Sequence, residues 1–243
     1  MTEAEWQAAG EPTPMLDFLS RTPARRKLRL FACACCDRID NLITDPRSRA
    51  ALEFASRHVD TAVNRQKGRT AIEKAGEAAH REYYNDVFNY TDERSAACLV
   101  RSCAADAAVQ TMNTNPTHAA RYASSFACFA VAWGAVQAAK KSARNNDLSA
   151  ELKAPEFAQQ VRLLRDVFGN PFRPVVFDPA WLTSTVVAVA RGIYDDRAFD
   201  RLPILADALQ DAGCEDGDVL GHCRGDGPHV RGCWVVDLVL GKE

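Results

Sequence analysis

The sequence predicts an all-α protein, an irregular multi-helix bundle. Long segments rich in Ala and charged residues run without internal proline, Pro and Gly punctuate the chain between them, and no stretch shows the alternation and regular turns of a β-sandwich. Residues 23–43 come first, with Leu28, Leu30, Phe31, Cys35, Ile39, Leu42 and Ile43 at mostly helical spacing. Residues 46–65, 70–88, 92–110 and 117–142 default to helix on composition.

The segment from Lys140 to Pro155 is polar and reads as a loop. Gly169-Asn170-Pro171-Phe172-Arg173-Pro174 is the clearest break, because two prolines and a Gly-Asn pair cannot continue a helix. These breaks divide the chain into an N-terminal helical bundle, residues 1–145, and a C-terminal helical region, residues 155–243, with room for one shared core. Beyond the break, Asp178-Pro179 is an N-cap followed by Pro at the first helical position, and Trp181, Val186, Val189 and Ile193 form a stripe running to Tyr194. Asp200 caps the next helix, in which Leu202, Leu205, Ala208 and Leu209 share a face and Gly213 is the stop. Asp226 and Pro228 open a last helix ending at Gly241, although Trp234, Val236, Leu238 and Leu240 also alternate as a strand would.

The chain has 243 residues, of which 47% are hydrophobic, enough to fill a sizeable core. A net charge of −2 excludes a surface that is basic throughout, as a general nucleic-acid or membrane magnet requires. No apolar run approaches the roughly 18 residues of a membrane-spanning helix. The acidic start, Met1 to Trp6, lacks a signal-peptide core, so a cytoplasmic location is expected. In that reducing compartment the nine cysteines are expected as free thiols, most of them small buried apolar side chains.

Charge is uneven along the chain. Residues 21–69 hold twelve Lys/Arg against five Asp/Glu, whereas residues 195–243 hold five against eleven. Arg21, Arg25, Arg26, Lys27 and Arg29 crowd a helix start, where the helix dipole disfavours cations, so an anionic neighbour or partner is expected there. The readings are solvated helix faces with docking of the chain's basic and acidic halves on each other, an acidic protein partner, and nucleic acid.

The residues best suited to chemistry lie at the C-terminal end: Cys214, His222, Cys223, His229 and Cys233 within one short stretch. Their spacing is too wide for a standard zinc knuckle. Only His229 and Cys233, at i and i+4, would share a helical face. Cys33 and Cys36, at i and i+3, would do the same near the other end. A zinc-type site would therefore draw on Cys33, Cys36, His222, Cys223, His229 and Cys233, with two ligands from each end, against the alternative of plain thiol packing. A thiol nucleophile, Cys223 beside His222 or Cys233 near His229, lacks any oxyanion-hole or orienting-acid motif. Gly225-Asp226-Gly227-Pro228 lacks the Lys-Ser/Thr ending of a phosphate loop and reads as a capping turn, and no organic cofactor site is indicated. Glu77 and His80 make one Glu-x-x-His, and the second copy that a di-metal bundle needs is absent from the sequence.

Several motifs carry a family resemblance. They are Met1-Thr2-Glu3-Ala4-Glu5-Trp6, Arg26-Lys27-Leu28-Arg29-Leu30-Phe31-Ala32-Cys33-Ala34-Cys35-Cys36, Arg197-Ala198-Phe199-Asp200-Arg201-Leu202-Pro203-Ile204-Leu205, His222-Cys223-Arg224, and Gly227-Pro228-His229-Val230-Arg231-Gly232-Cys233-Trp234. In these the chain resembles a large paralogous family of planctomycete proteins, over roughly the first sixty-five and last eighty residues. The resemblance implies a bacterial intracellular origin and transfers no activity or catalytic residue. The expected function is a non-enzymatic protein-interaction or regulatory module. The alternatives are a metal-binding protein or metal-dependent enzyme with Cys/His ligands from both ends, and a nucleic-acid binder using the basic helix.

Overall fold

The computed structural model describes residues 1–60, 70, 74, 76–77, 92–139 and 149–242. Among these residues every regular element is a helix and none is a strand. The chain divides into two compact units, Ala9–Val161 and a second made of Met1–Ala8 with Arg162–Glu243. The expected boundary lies between residues 145 and 155; the division instead falls after Val161, and the first eight residues go with the C-terminal unit.

The Ala9–Val161 unit contains α2 (Pro12–Leu19), α3 (Arg25–Asp37), α4 (Pro46–Arg57), α5 (Asp92–Gln110), α6 (Pro116–Ala138) and the first part of α7 (Ala150–Phe168). Helix α3 is central because its last two turns are apolar all round: Leu30 through Cys36 are buried without a break. It packs against α6, which also pairs with α5. Ala119, Ala120, Ala123, Ala127 and Ala130 of α6 are fully buried, and their small side chains let these helices approach closely. Helix starts follow local chemistry. The Asp45 carboxylate accepts from the Arg47 amide at 2.8 Å, the Asn115 side chain accepts from the Thr117 and His118 amides, and each cap is followed by proline.

One polar network crosses the interior of this unit. The Arg38 guanidinium donates to both oxygens of buried Glu156, Nε to Oε1 at 3.0 Å and Nη2 to Oε2 at 2.8 Å. The Gln160 amide donates to Glu156 Oε1 and to the Ser124 carbonyl, and the Ser124 hydroxyl donates back to Gln160 Oε1. Helix α7 begins at Ala150 and carries Pro155 in its second turn, so the loop expected as far as Pro155 ends earlier. Proline lacks an N–H but can be carried near a helix start, where few intrahelical bonds are lost. Residues 140–148 of that expected loop lie outside the described residues, as do the stretch 61–65 and most of 70–88, including His80 of the Glu-x-x-His match.

The second unit contains α1 (Glu3–Ala8), the end of α7, α8 (Ser184–Asp196), α9 (Leu202–Asp211), α10 (Gly217–Arg224) and α11 (Trp234–Leu240). Val186, Ala190, Ile193, Leu202, Leu205, Leu209, Val219, Val235 and Val236 form its core. Two expected caps sit elsewhere. Asp178 caps only a short 3-10 turn, Pro179–Trp181, and Thr183 caps α8 itself by accepting from the Val186 amide. Asp200 lies within a second 3-10 turn, Phe199–Arg201, that runs directly into α9, and no side chain caps that helix.

The last helix does not start at Asp226 or Pro228. Gly227 and Gly232 have φ of +72° and +97°, which an α-helix cannot contain, so residues 225–233 form a loop and α11 starts at Trp234. From there the chain is helical, and the strand alternative is overturned. Gly169, at φ +64°, ends α7 in the left-handed conformation, and its missing side chain leaves room for the Trp234 indole, 3.1 Å from where a Cβ would stand.

Candidate metal centre

The loop that replaces the expected helix start delivers the site. Helix α10 supplies His222, the loop supplies His229, and Cys233 is the residue just before α11. The fourth member, Asp166, comes from the end of α7. One donor atom from each of these four side chains lies within 4.8 Å of all the others.

The geometry is specific atom by atom. Asp166 Oδ1 is 2.7 Å from His229 Nδ1 and 3.1 Å from His222 Nε2, while Oδ2 accepts from the Val230 amide at 2.9 Å. His222 Nε2 is also 3.2 Å from Cys233 Sγ. His229 Nε2 faces the Gly225 carbonyl at 3.1 Å. A histidine that donates its second N–H to a backbone carbonyl is held in the tautomer a metal ligand needs, with the other nitrogen free to bind. Gly227 makes this turn accessible, since a Cβ there would stand 2.8 Å from the His229 amide nitrogen.

The donors are shielded from water. Asp166 is 3% exposed and Cys233 0%, whereas the side chains of His222 and His229 are 18% and 11% exposed at the floor of an open cleft of about 220 Å³. Burial raises the Asp166 pKa, but hydrogen bonds from His222 and His229 and their charges outweigh it, and the carboxyl stays below its usual range. For His229, burial favours the neutral ring, yet the Asp166 hydrogen bond and charge and the Gly225 carbonyl raise its pKa overall. Burial and the Asp166 charge push the Cys233 thiol well above its ordinary value, against amides of Val236 and Val235 that favour the thiolate.

Two arrangements fit these contacts. Protons can bridge the cluster, with His229 as an imidazolium between Asp166 and Gly225. A cation can instead receive one lone pair from each of the four donors. Zinc held at about 2.0–2.3 Å by N, O and S ligands sets neighbouring donors about 3.3–3.7 Å apart, a few tenths of an ångström beyond the contacts that His222 Nε2 makes to Asp166 and Cys233 at 3.1 and 3.2 Å. Nucleophilic catalysis fits poorly. Cys233 is fully buried with a raised pKa, and Asp166 and Cys233 address the same nitrogen of His222, whereas a catalytic relay places acid and nucleophile on opposite nitrogens.

Three of the six expected metal ligands, His222, His229 and Cys233, are thus brought together. Cys223 is buried in the core of the same unit, where burial first, then the charges of Asp166 and Cys214, push its thiol up to about 12. Cys33 and Cys36 belong to the other unit and are buried on α3. Two residues of the basic segment are engaged within their own unit: Arg26 pairs with Asp60 at 2.6 Å, and Arg29 donates to the carbonyls of Thr111 and Thr114. Arg21 and Arg25 are exposed, and Lys27 is half-buried.

Sequence spacing misses Asp166, which is distant in the chain from the other three. A signal exists nonetheless. Asp166 sits between Leu163, Leu164 and Val167, all buried, and an acid on the apolar face of a helix is seldom there without a partner.

The fold and cluster together define an all-α protein with a buried Asp/His/His/Cys constellation in its C-terminal unit. Among known proteins, no protein-family model, no curated protein and no solved structure matches the chain.

Proposed function

We propose that this protein binds one divalent transition-metal ion, zinc in chemical class, through Asp166, His222, His229 and Cys233. The observation that carries the reading is the double engagement of His222 Nε2, which faces Asp166 Oδ1 at 3.1 Å and Cys233 Sγ at 3.2 Å. One ring nitrogen offers a single proton or lone pair and serves both only by sharing it, at a cost in strength, whereas a central cation accepts from all four donors at once. A thiolate, two imidazoles and a carboxylate form a borderline-soft set suited to zinc.

Four protein ligands leave no position for a substrate, which marks structural rather than catalytic zinc. That favours a non-enzymatic interaction or regulatory module, stapled by metal, over a metal-dependent enzyme. All nine cysteines are free of disulfides, the state that a reducing cytoplasm would maintain. No described helix is long and apolar enough to cross a membrane. The pairing of Arg26 and Arg29 within their own unit favours a protein partner over nucleic acid. The test is metal analysis of untagged protein: one equivalent of zinc supports the centre, and its retention in a Cys233→Ser, His222→Ala double variant counts against it.

A further inference from the structure

Helix α1 is only six residues long and is too short to hold helical form alone. Its docking relies on groups that lie beside the metal-centre residues in the chain. The Arg165 guanidinium donates to the last carbonyls of α1, Trp6 at 2.9 Å and Gln7 at 2.7 Å, and Arg165 immediately precedes Asp166. Asn170 donates to Glu3 Oε1 at 2.7 Å and Arg173 Nε pairs with the same oxygen at 2.6 Å. Trp6 is fully buried. A second line of contact runs from the other side of the centre. The His222 ring lies 5.2 Å from the Trp234 indole, and that indole packs on Gly169, next to Asn170.

The end of α7 therefore faces two ways, holding the cluster through Asp166 and α1 through Arg165 and Asn170. We propose that metal binding at the cluster and docking of α1 are coupled, so that α1 is a strap whose closure is set by metal occupancy; this rests on the metal-centre reading. Going from proton-bridged to metal-bound spacing moves Asp166 against His229 and fixes the end of α7. The segment that grips α1 is fixed with it. Linkage makes the effect reciprocal: the docked form binds metal more tightly than the undocked form by the factor with which metal favours docking, and a change that undocks α1 weakens metal binding by up to that factor.

The experiment compares hydrogen exchange of the full chain after chelation and after loading with zinc alone, reading the amides of residues 3–8. The coupling predicts exchange at least several-fold slower with zinc, without an equal change in α9 of the same unit. Its reciprocal arm is Glu3→Gln, which touches no proposed ligand, loosens α1 by removing its contacts to Asn170 and Arg173, and should weaken zinc binding by a factor that does not exceed the coupling. One equivalent of zinc bound with unchanged α1 exchange and unchanged Glu3→Gln affinity overturns the coupling and leaves the metal centre standing. Equal slowing in α9 also overturns it, since the metal would then stabilise the unit as a whole. Failure to bind zinc overturns the centre and the coupling together.

Discussion

Asp166 Oδ1 stands 2.7 Å from His229 Nδ1 while its other oxygen accepts from the Val230 amide, so one buried carboxylate ties the end of α7 to the loop before α11. A buried acid of this kind is costly unless several groups neutralise it, and here two imidazoles and an amide do so. Removing the charge should be felt in metal binding and in stability alike.

Asp166→Asn is expected to weaken zinc binding by about 10- to 100-fold or more, since even the supporting partners of metal ligands carry effects of that size. Competition against a chromophoric zinc chelator measures it. Unchanged affinity would remove Asp166 from the ligand set.

Cobalt provides a separate test of the thiolate. The cobalt-loaded protein should show an intense sulfur-to-metal charge-transfer band in the near ultraviolet, and Cys233→Ser should abolish it while Cys223→Ser retains it. A band that follows Cys223 instead would move the sulfur ligand to the core position, against the geometry seen at His222 Nε2.

In the Ala9–Val161 unit, Glu156→Gln should cost about 2–3 kcal/mol, less than a fully buried ion pair, because the Arg38 side chain is 31% exposed. The cost is concentrated in Arg38, since the amide oxygen introduced by the substitution could still accept from Gln160. Arg38→Met in the same background should then recover part of the loss in denaturant unfolding, and a further loss equal to that of Arg38→Met alone would show that the two side chains act independently.

Asp45 supplies a pH-dependent contribution. Hydrogen bonding from the Arg47 side chain, opposed by burial and reinforced by backbone amides, holds its pKa below the ordinary value. A lowered folded-state pKa means that its stabilisation is fully present above about pH 4, the unfolded value, and is lost as pH falls through the folded value. Asp45→Asn should keep most of the helix cap at neutral pH and flatten this part of the acid profile. Thermal melts from pH 6 to pH 2 compare the two proteins, and superimposable profiles would dismiss the Asp45 contribution.

Much of the fold is legible in the sequence because helix propensity and end signals are local. Gly213 stops α9 and Gly169 marks the end of α7, both at positive φ just past the last helical turn. Asp-Gly-Pro resembles a cap and places the start of α11 too early, because the backbone signs at Gly227 and Gly232 are set by the tertiary path of the loop. Three of the four candidate ligands are visible for a related reason. His222, His229 and Cys233 are neighbours in sequence, but Asp166 reaches them only through packing of α7. The thiols of Cys33 and Cys36 mimic a ligand pair on a helix whose last two turns are buried on every side.

A single metal ion held by Asp166, His222, His229 and Cys233 is the central claim, and titration of the chelator-treated full chain with zinc tests it most directly. Saturation at one equivalent is predicted, with loss of that binding in the His222→Ala, Cys233→Ser double variant and its preservation in Cys33→Ser, Cys36→Ser. No binding, or binding that survives the first pair of substitutions and fails with the second, would contradict it.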